Sequence, residues 1–252
     1  MIKPALRPAL FAFAALPLAL GLAACKKTGD AGSADASSSA PAAAVTPPAG
    51  KQWADVVAKT ADGNGMVMGN PNAPIKIVEY GSLSCPHCAK LAQESMGPLK
   101  GTYIASGKVS YEYRSFAIHP QDIPLTVLVR CAGPDAYFGM VEQVYANFDA
   151  MNEAMGKGLD KAKSAMSLPA AQRYGALSDA LGYTDFFAAR GLPVDQQHQC
   201  LANMGAAEAV AKESEAISAK GIDSTPTMFV NGTKVTGAEW KELEAAIKAA
   251  GA

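Results

Sequence analysis

The sequence predicts an α/β protein that runs strand–helix–strand, then through a long helical segment, and then strand–strand–helix. An apolar run rich in β-branched residues at 75–80 gives way to helically spaced apolar residues, which is typical of a buried strand followed by a helix. From about 124 to 220 the apolar spacing is helical throughout. Asn231-Gly232 then separates two short β-type runs, and this is the strongest short hairpin signal.

The first 24 residues have the pattern of an export signal. Lys3 and Arg7 precede a short apolar segment at 9–22, which favours a cleaved signal over a membrane span. The segment ends in Leu-Ala-Ala-Cys, which resembles a bacterial lipobox. In this interpretation 1–24 is a lipoprotein signal peptide, and Cys25 bears the lipid that anchors the protein to a membrane surface. The alternative is an ordinary signal peptide in which Cys25 has no role.

Composition predicts a flexible tether followed by one folded domain. Residues 25–50 are rich in Ala, Ser, Gly and Pro and contain no aromatic residue, so they cannot bury enough surface to offset chain entropy. We therefore expect a disordered tether there and a folded domain at 51–252. The whole chain of 252 residues has a net charge of −1, which argues against nucleic acid as a partner.

The first part of the domain reads as a strand–helix–strand unit with a short lead-in. The apolar spacing at 53–57 predicts a short helix, and 66–68 is a candidate strand. The helix after the strand at 75–80 contains Gly97-Pro98, which should kink or break it. Alternation at 109–114 predicts the second strand of the unit.

The helical segment and the C-terminal part follow from periodicity and turn residues. The five candidate helices are 125–131, 134–148, 169–181, 193–202 and 206–219. Three of them begin with a proline, which suits the first turn of a helix. The hairpin strands are predicted at 227–230 and 233–236, and an amphipathic helix at 239–249 closes the chain.

Cys85 and Cys88 form a C-x-x-C motif where the strand passes into the first turn of the helix. A helix N-terminus favours a thiolate, and together with a neighbouring protonated histidine such as His87 it can lower a cysteine pKa from about 8.5 to about 3.5–7.5. A solvent-exposed His87 with no role is the alternative. Cys85, nearer the helix start, is the expected nucleophile and Cys88 the resolving thiol. Half of a zinc site is the alternative, and the lack of a second C-x-x-C favours redox chemistry.

Glu79, six positions before Cys85, and the sequence Cys85-Pro86-His87-Cys88 resemble the active-site stretch of DsbA-type thiol:disulfide oxidoreductases. The resemblance implies a thioredoxin fold split by an inserted helical subdomain at about 124–220. It also implies that Glu79 is a buried acid that relays protons to and from Cys88, with a pKa raised by desolvation. An outward-facing Glu79 is the alternative. No metal or organic cofactor is expected, because the disulfide itself is the redox group.

Thr225-Pro226 stands immediately before the first hairpin strand. Because proline cannot donate to a sheet ladder, it belongs at a strand start or edge, and an ordinary turn proline would satisfy this. The stretch 221–232 is similar to the cis-proline loop that faces the C-x-x-C motif in thioredoxin-like families. The resemblance implies a cis bond, with the backbone of Thr225 available to pair with an extended substrate as an added strand.

The remaining cysteines and histidines are less informative. Cys131 and Cys200 with His198 could form a metal cluster, but two remaining cysteines in an exported protein more often pair. In the family resemblance, Cys131 and Cys200 look like the positions of a second, non-catalytic disulfide that staples two helices of the insertion. His119 is interpreted as a turn residue.

These observations predict an exported, lipid-tethered dithiol oxidase of the periplasm or cell envelope. Its expected partners are reduced or unfolded secreted proteins and a membrane protein that reoxidises it, and we expect a monomer. An isomerase or reductase is the alternative, because Thr225 stands where the enteric oxidase usually has valine. From another class, a metal-binding or metal-delivery module could use Cys85, Cys88 and a histidine as soft ligands.

Overall fold

The computed structural model describes residues 46–252 of the chain. The predicted signal peptide at 1–24, the predicted lipidation site Cys25 and the tether as far as residue 45 lie outside the described residues. Within 46–252, no helix combines the length and the apolar character needed to cross a bilayer.

Residues 46–252 form a mixed sheet of six strands and nine α-helices. The strands are β1 (Val57–Lys59), β2 (Gly65–Gly69), β3 (Ile75–Gly81), β4 (Val109–Ser115), β5 (Thr227–Val230) and β6 (Thr233–Lys234). The helices are α1 (Pro86–Pro98), α2 (Asp122–Cys131), α3 (Pro134–Ala146), α4 (Phe148–Ala165), α5 (Ala170–Ala180), α6 (Tyr183–Ala188), α7 (Val194–Ala202), α8 (Met204–Ser218) and α9 (Trp240–Ala249). The predicted order, with helices inserted between β4 and β5, is confirmed.

The strand order β1-β2-β4-β3-β5-β6 places β3 and β4 at the centre of the sheet. These two strands are parallel and the other pairs are antiparallel. A parallel pair needs a crossover connection, which α1 supplies. The carboxyl ends of β3 and β4 therefore meet at one edge of the sheet, and the loops that follow both strands lie together there.

Alternation along β3 sends one set of side chains into the core. Ile75, Ile77, Glu79 and Gly81 are buried, whereas the residues between them are more exposed. Successive side chains of a strand point to opposite faces, so Glu79 belongs to the apolar row of the central strand. The core beneath β3 thus contains a carboxyl group.

The predicted hairpin and the predicted helix interruption are both present. Asn231 and Gly232 have φ values of 48° and 80°, as the two central residues of a type I′ turn require. The Asn231 side chain also accepts a hydrogen bond of 2.8 Å from the backbone N–H of Lys76, which joins the hairpin to β3. Helix α1 ends at Pro98, and Leu99–Ile104 continue as a π-helix.

Several local predictions differ from the structure. The predicted helix at 53–57 is only a 3-10 turn at Trp53–Asp55, because Val57 pairs with Met68 as the first residue of β1. Helices α4 and α6 lie outside the five helices predicted from the sequence. Pro169 and Pro193 precede their helices as N-caps rather than occupying the first turn.

Candidate active site

The two cysteines of the motif lie at the start of α1, at the edge where β3 and β4 end. Cys85 is the N-cap residue and Pro86 is the first helical residue. Both thiols are free, so the geometry is that of the reduced pair. Cys85 is 4% exposed and Cys88 is completely buried. Of the two sulfurs, only that of Cys85 is therefore within reach of an incoming thiol or disulfide.

Hydrogen bonds to its sulfur lower the pKa of Cys85 to about 5. The largest cause is the hydrogen bond from the Cys88 thiol, and the backbone N–H groups of Cys88 and His87 add to it. Burial opposes these effects because it disfavours the charged form. The N–H groups of the first helical turn, which have no partner within the helix, thus stabilise the Cys85 thiolate at neutral pH.

The His87 side chain is exposed at the second position of α1. Its backbone N–H, rather than its imidazole, is among the groups that lower the pKa of Cys85. The sequence pattern predicted a contribution from the ring alone.

Glu79 lies in the same buried region as Cys88. It is 4% exposed, and burial raises its pKa to about 7, with a smaller contribution from the charge of Cys85. Burial also raises the pKa of the Cys88 thiol, as do its hydrogen bond to Cys85 and the charge of Glu79. A carboxyl with a pKa near neutrality can take up or release a proton under ordinary conditions.

Three tyrosines surround this acid. The Tyr111 hydroxyl donates a hydrogen bond of 2.7 Å to Glu79 Oε2. The hydroxyls of Tyr113 and Tyr145 are 2.7 Å apart, and Tyr145 donates to the carbonyl oxygen of Ser82 at 3.0 Å. None of the three tyrosines is among the predicted site residues, although the alternation in 109–114 places Tyr111 and Tyr113 on one face of β4.

Position 81 has room only for glycine, because the side chains of Tyr113 and Glu79 lie close to its Cα atom. A Cβ atom at Gly81 would lie 2.6 Å from Cε2 of Tyr113 and 2.9 Å from Oε1 of Glu79. Contacts this short do not occur between non-bonded carbon atoms, whose optimal separation is about 3.5–4.0 Å. A side chain at this position would therefore displace the carboxyl group or the phenol.

The Thr225–Pro226 peptide bond is cis and faces Cys85. The Cys85 thiol donates to the carbonyl oxygen of Thr225 at 3.4 Å. The loop is held by a hydrogen bond of 2.8 Å from the Thr227 hydroxyl to the carbonyl oxygen of Ser224. Backbone polar groups of Thr225 thus lie beside the reactive sulfur, where an extended chain could pair with them.

Asp122, at the start of α2, connects the two loops at this edge of the sheet. It is 1% exposed, and its carboxylate accepts hydrogen bonds from the Ser82 hydroxyl at 2.9 Å and from the Ser84 backbone N–H at 2.9 Å. It also accepts from the backbone N–H groups of Ile118 at 3.1 Å and His119 at 3.0 Å. Asp122 is not among the predicted site residues, because no local sequence pattern indicates a contact between loops about 40 positions apart.

His119 lies closer to the cysteine pair than its interpretation as a turn residue suggested. Its Nδ1 is 3.0 Å from the hydroxyl oxygen of Ser84, the residue before Cys85. Its side chain is about half exposed, so an imidazole stands at the rim of the candidate active site.

Cys131 and Cys200 form a disulfide that joins α2 to α7. His198 does not join them; its Nε2 lies 3.0 Å from a carboxylate oxygen of Asp179. Among residues 46–252, no group of three or more His, Cys, Asp or Glu side chains is arranged to hold a metal ion.

Comparison with known proteins relates the whole arrangement to one family. Residues 61–249 match the family model described as Thioredoxin. A protein of Rickettsia prowazekii (strain Madrid E), provisionally named a protein-disulfide oxidoreductase, is 30% identical over 174 residues, covering 69% of this chain and 56% of that protein. The chain therefore spans little more than half the length of that relative.

Two solved structures share the fold. A protein-disulfide isomerase from Novosphingobium aromaticivorans is 28% identical with a TM-score of 0.68, covering 74% of this chain and 96% of that chain. The α-DsbA1 protein of Wolbachia pipientis is 25% identical with a TM-score of 0.58, covering 73% and 88%. The chain therefore belongs to the thioredoxin family, and its helical insertion gives it the DsbA-like architecture.

Proposed function

We propose that this chain is a thiol:disulfide oxidoreductase that introduces disulfides into secreted proteins. The observation that carries the proposal is the environment of Cys85, whose sulfur receives hydrogen bonds from Cys88 and from the first turn of α1. Only the reduced form contains this thiolate. Stabilising the reduced form makes the Cys85–Cys88 disulfide a stronger oxidant.

Oxidation of a client begins with the Cys85–Cys88 disulfide. A client thiolate attacks the Cys85 sulfur, the Cys85–Cys88 bond breaks, and a mixed disulfide forms between the client and Cys85. Cys88 leaves as a thiolate and takes a proton from the Glu79 carboxyl, since burial makes a Cys88 anion unfavourable.

A second client thiolate then attacks the client sulfur of the mixed disulfide. The client disulfide forms, Cys85 leaves as its stabilised thiolate, and the two electrons remain on the cysteine pair. A membrane partner restores the disulfide when Cys85 attacks the partner's disulfide and Cys88, deprotonated by Glu79, displaces the partner from Cys85. The cysteine pair is the redox group, and no metal or organic cofactor takes part.

Clients bind at the cis-proline loop as extended chains. The backbone of Thr225 pairs with the client, and Pro226 shapes the loop so that the client cysteine meets Cys85. Main-chain pairing is independent of side chains, so reduced or unfolded secreted proteins of many sequences are accepted.

The protein acts outside the cytoplasm, in the periplasm or cell envelope, as a monomer held to a membrane surface by a lipid on Cys25. This part of the proposal rests on the signal-like sequence at 1–25. Metabolic labelling with a fatty-acid analogue tests it: wild type should be labelled and Cys25→Ser should not.

Disulfide isomerisation or reduction is the second candidate. It is favoured by the 28% identity to a solved structure titled a protein-disulfide isomerase, and by Thr225 before the cis-proline. The reduction potential of the cysteine pair distinguishes the two: a value near that of thioredoxin, about −270 mV, would favour reduction.

Turnover of a reduced, unfolded protein with two cysteines tests the proposed function. With oxidised glutathione supplied as the oxidant, wild type should form the client disulfide and Cys85→Ser should fall to the uncatalysed rate. With oxidised glutathione and no client, Cys88→Ser should retain a glutathione mixed disulfide on Cys85, because the thiol that would expel the glutathione is missing. Full oxidase activity in Cys85→Ser would overturn the assignment of the nucleophile.

A further inference from the structure

The buried carboxyl of Glu79 is held by a phenol and not by a cation. Within the described residues, no lysine, arginine or histidine nitrogen lies within 4 Å of its oxygens. Its hydrogen bond is the one from Tyr111, at 2.7 Å. A buried carboxylate without a cation depends on neutral donors to offset its desolvation.

The other groups around Glu79 do not replace this donor. On β4, the Tyr145 hydroxyl donates its proton to the carbonyl oxygen of Ser82, so Tyr113 is the donor in the Tyr113–Tyr145 hydrogen bond. The Tyr113 proton is therefore not available to Glu79. On β5, the residue opposite Glu79 is Met228, which has no donor. On α1, Cys85 and Cys88 are the reacting thiols, and a negative sulfur there disfavours a second negative charge.

Tyr111 is also held in place from its other side. Its ring lies against the Phe138 ring of α3, with centroids 5.8 Å apart, and the residue is 4% exposed. β4 pairs with β3 in parallel register along its whole length. The hydroxyl therefore approaches Glu79 from a fixed direction, set by the sheet and by one aromatic contact.

We propose that Tyr111 is a positioning residue for the proton transfer between Glu79 and Cys88. Its O–H group holds the carboxyl in the buried pocket that Cys88 shares and stabilises the charged carboxylate, which must exist to take the Cys88 proton. This proposal rests on the proposed function. It concerns the step in which Glu79 accepts the thiol proton, Cys88 attacks the Cys85 sulfur of a mixed disulfide, and the expelled thiolate leaves.

The closure reaction of the reduced full-length chain with oxidised glutathione tests it. Glutathione forms a mixed disulfide with Cys85, and Cys88 then expels it as a thiolate. Rapid acid quench and peptide mass spectrometry measure the closure rate between pH 5 and 9 and distinguish these cysteines from Cys131 and Cys200. In wild type the rate should rise through a step near pH 7, the pKa of Glu79.

In Tyr111→Phe the carboxylate loses one hydrogen bond, so the step should move up by about one pH unit and closure at pH 6 should be about tenfold slower. The two rates should converge at pH 9. Glu79→Gln should lack the step, and adding Tyr111→Phe to Glu79→Gln should change nothing further. Tyr103→Phe is the matched control, because it removes a partly buried tyrosine–carboxylate hydrogen bond of 2.9 Å, to Glu244, that does not involve Glu79.

Two results would overturn the positioning role. One is a Tyr111→Phe profile identical to that of wild type. The other is an equal loss of rate at every pH that persists in the Glu79→Gln background, which would mean that the hydroxyl acts only through packing. Failure of the wild-type chain to form the Cys85–glutathione disulfide would instead overturn the proposed function, so the two failures are distinguishable.

Discussion

Replacing Cys85 with serine in the reduced protein should change how the free energy of unfolding depends on pH. In the folded protein the pKa of Cys85 is about 5, against an ordinary value of 9.0. The folded state therefore releases this proton more readily than the unfolded state. Such a group stabilises the folded protein fully above the unfolded-state pKa, and its contribution is lost as the pH falls through the folded-state pKa.

The magnitude follows from the two pKa values. Between about pH 5 and 9 the contribution grows by about 1.4 kcal/mol per pH unit. At pH 7 it amounts to about 3 kcal/mol, because two pH units separate pH 7 from the folded-state pKa. With about 1.4 kcal/mol equivalent to 30 mV for a two-electron couple, this raises the reduction potential by about 60 mV. The Cys85 sulfur is the one that incoming thiols reach, and solvent at this edge of the site screens part of the effect, so both figures are upper values.

Urea denaturation of wild type and Cys85→Ser, both fully reduced, measures the difference between their free energies of unfolding at each pH from 4 to 8. The difference should be constant below pH 4.5 and then rise with the slope given above. Cys88→Ser is the matched control: its hydroxyl can still donate to the Cys85 sulfur, so the pH dependence should remain. A difference between wild type and Cys85→Ser that stays flat from pH 5 to 8 would refute the reasoning.

Three further variants probe the scaffold, each through the free energy of unfolding in urea. Replacing Cys131 and Cys200 together by alanine should cost about 4 kcal/mol under non-reducing conditions, because their disulfide closes a loop of 69 residues. Gly158→Ala should cost about 3 kcal/mol, since its Cβ would lie 1.8 Å from the Ala180 carbonyl oxygen. Asp122→Asn should cost about 2–4 kcal/mol, because an amide NH₂ group would face backbone N–H donors that the carboxylate now accepts.

Each scaffold prediction has a result that would contradict it. Gly156→Ala is the control for Gly158→Ala: a Cβ at Gly156 meets nothing within 4 Å, so this variant should gain up to about 1 kcal/mol from the higher helix propensity of alanine. A similar gain in Gly158→Ala would contradict the packing argument. A loss below about 1 kcal/mol for the cysteine double variant would rule out the loop-closure argument. Wild-type stability in Asp122→Asn would show that the two loops do not depend on the carboxylate.

The strands and turns beside the site were predictable because their signals are local. The β-branched run of β3 and the Asn231-Gly232 turn each specify a structure within a few residues. The positions of Cys85 and Cys88 could also be predicted, because a C-x-x-C motif after a strand lies at the start of the next helix. Sequence reasoning therefore located the reacting sulfurs.

Helix α4 was not predictable in the same way. Gly156 and Gly158 each lower helix propensity by about 1 kcal/mol relative to alanine, and the sequence analysis ended the preceding helix at 148. In the structure, the missing side chain at Gly158 lets α4 approach the carbonyl oxygen of Ala180 on α5. A tertiary contact outweighs the local preference here.

The groups that support the reacting thiols were the hardest to foresee. Tyr111 bonds to Glu79 across 32 positions, and Asp122 bonds to Ser82 across 40. Alternation shows which face of a strand a residue occupies, but it does not show which strand will be its neighbour. Contacts of this kind follow from the strand order, which the sequence pattern left undetermined.

The ionisation of Cys85 tests the central claim most directly. The rate of alkylation of the reduced protein by iodoacetamide, followed from pH 3 to 10 at Cys85 by mass spectrometry, reports the fraction of thiolate. We predict a midpoint near pH 5. A midpoint at or above about 8.5, the value of free cysteine, would contradict the account of an oxidant built on a stabilised thiolate.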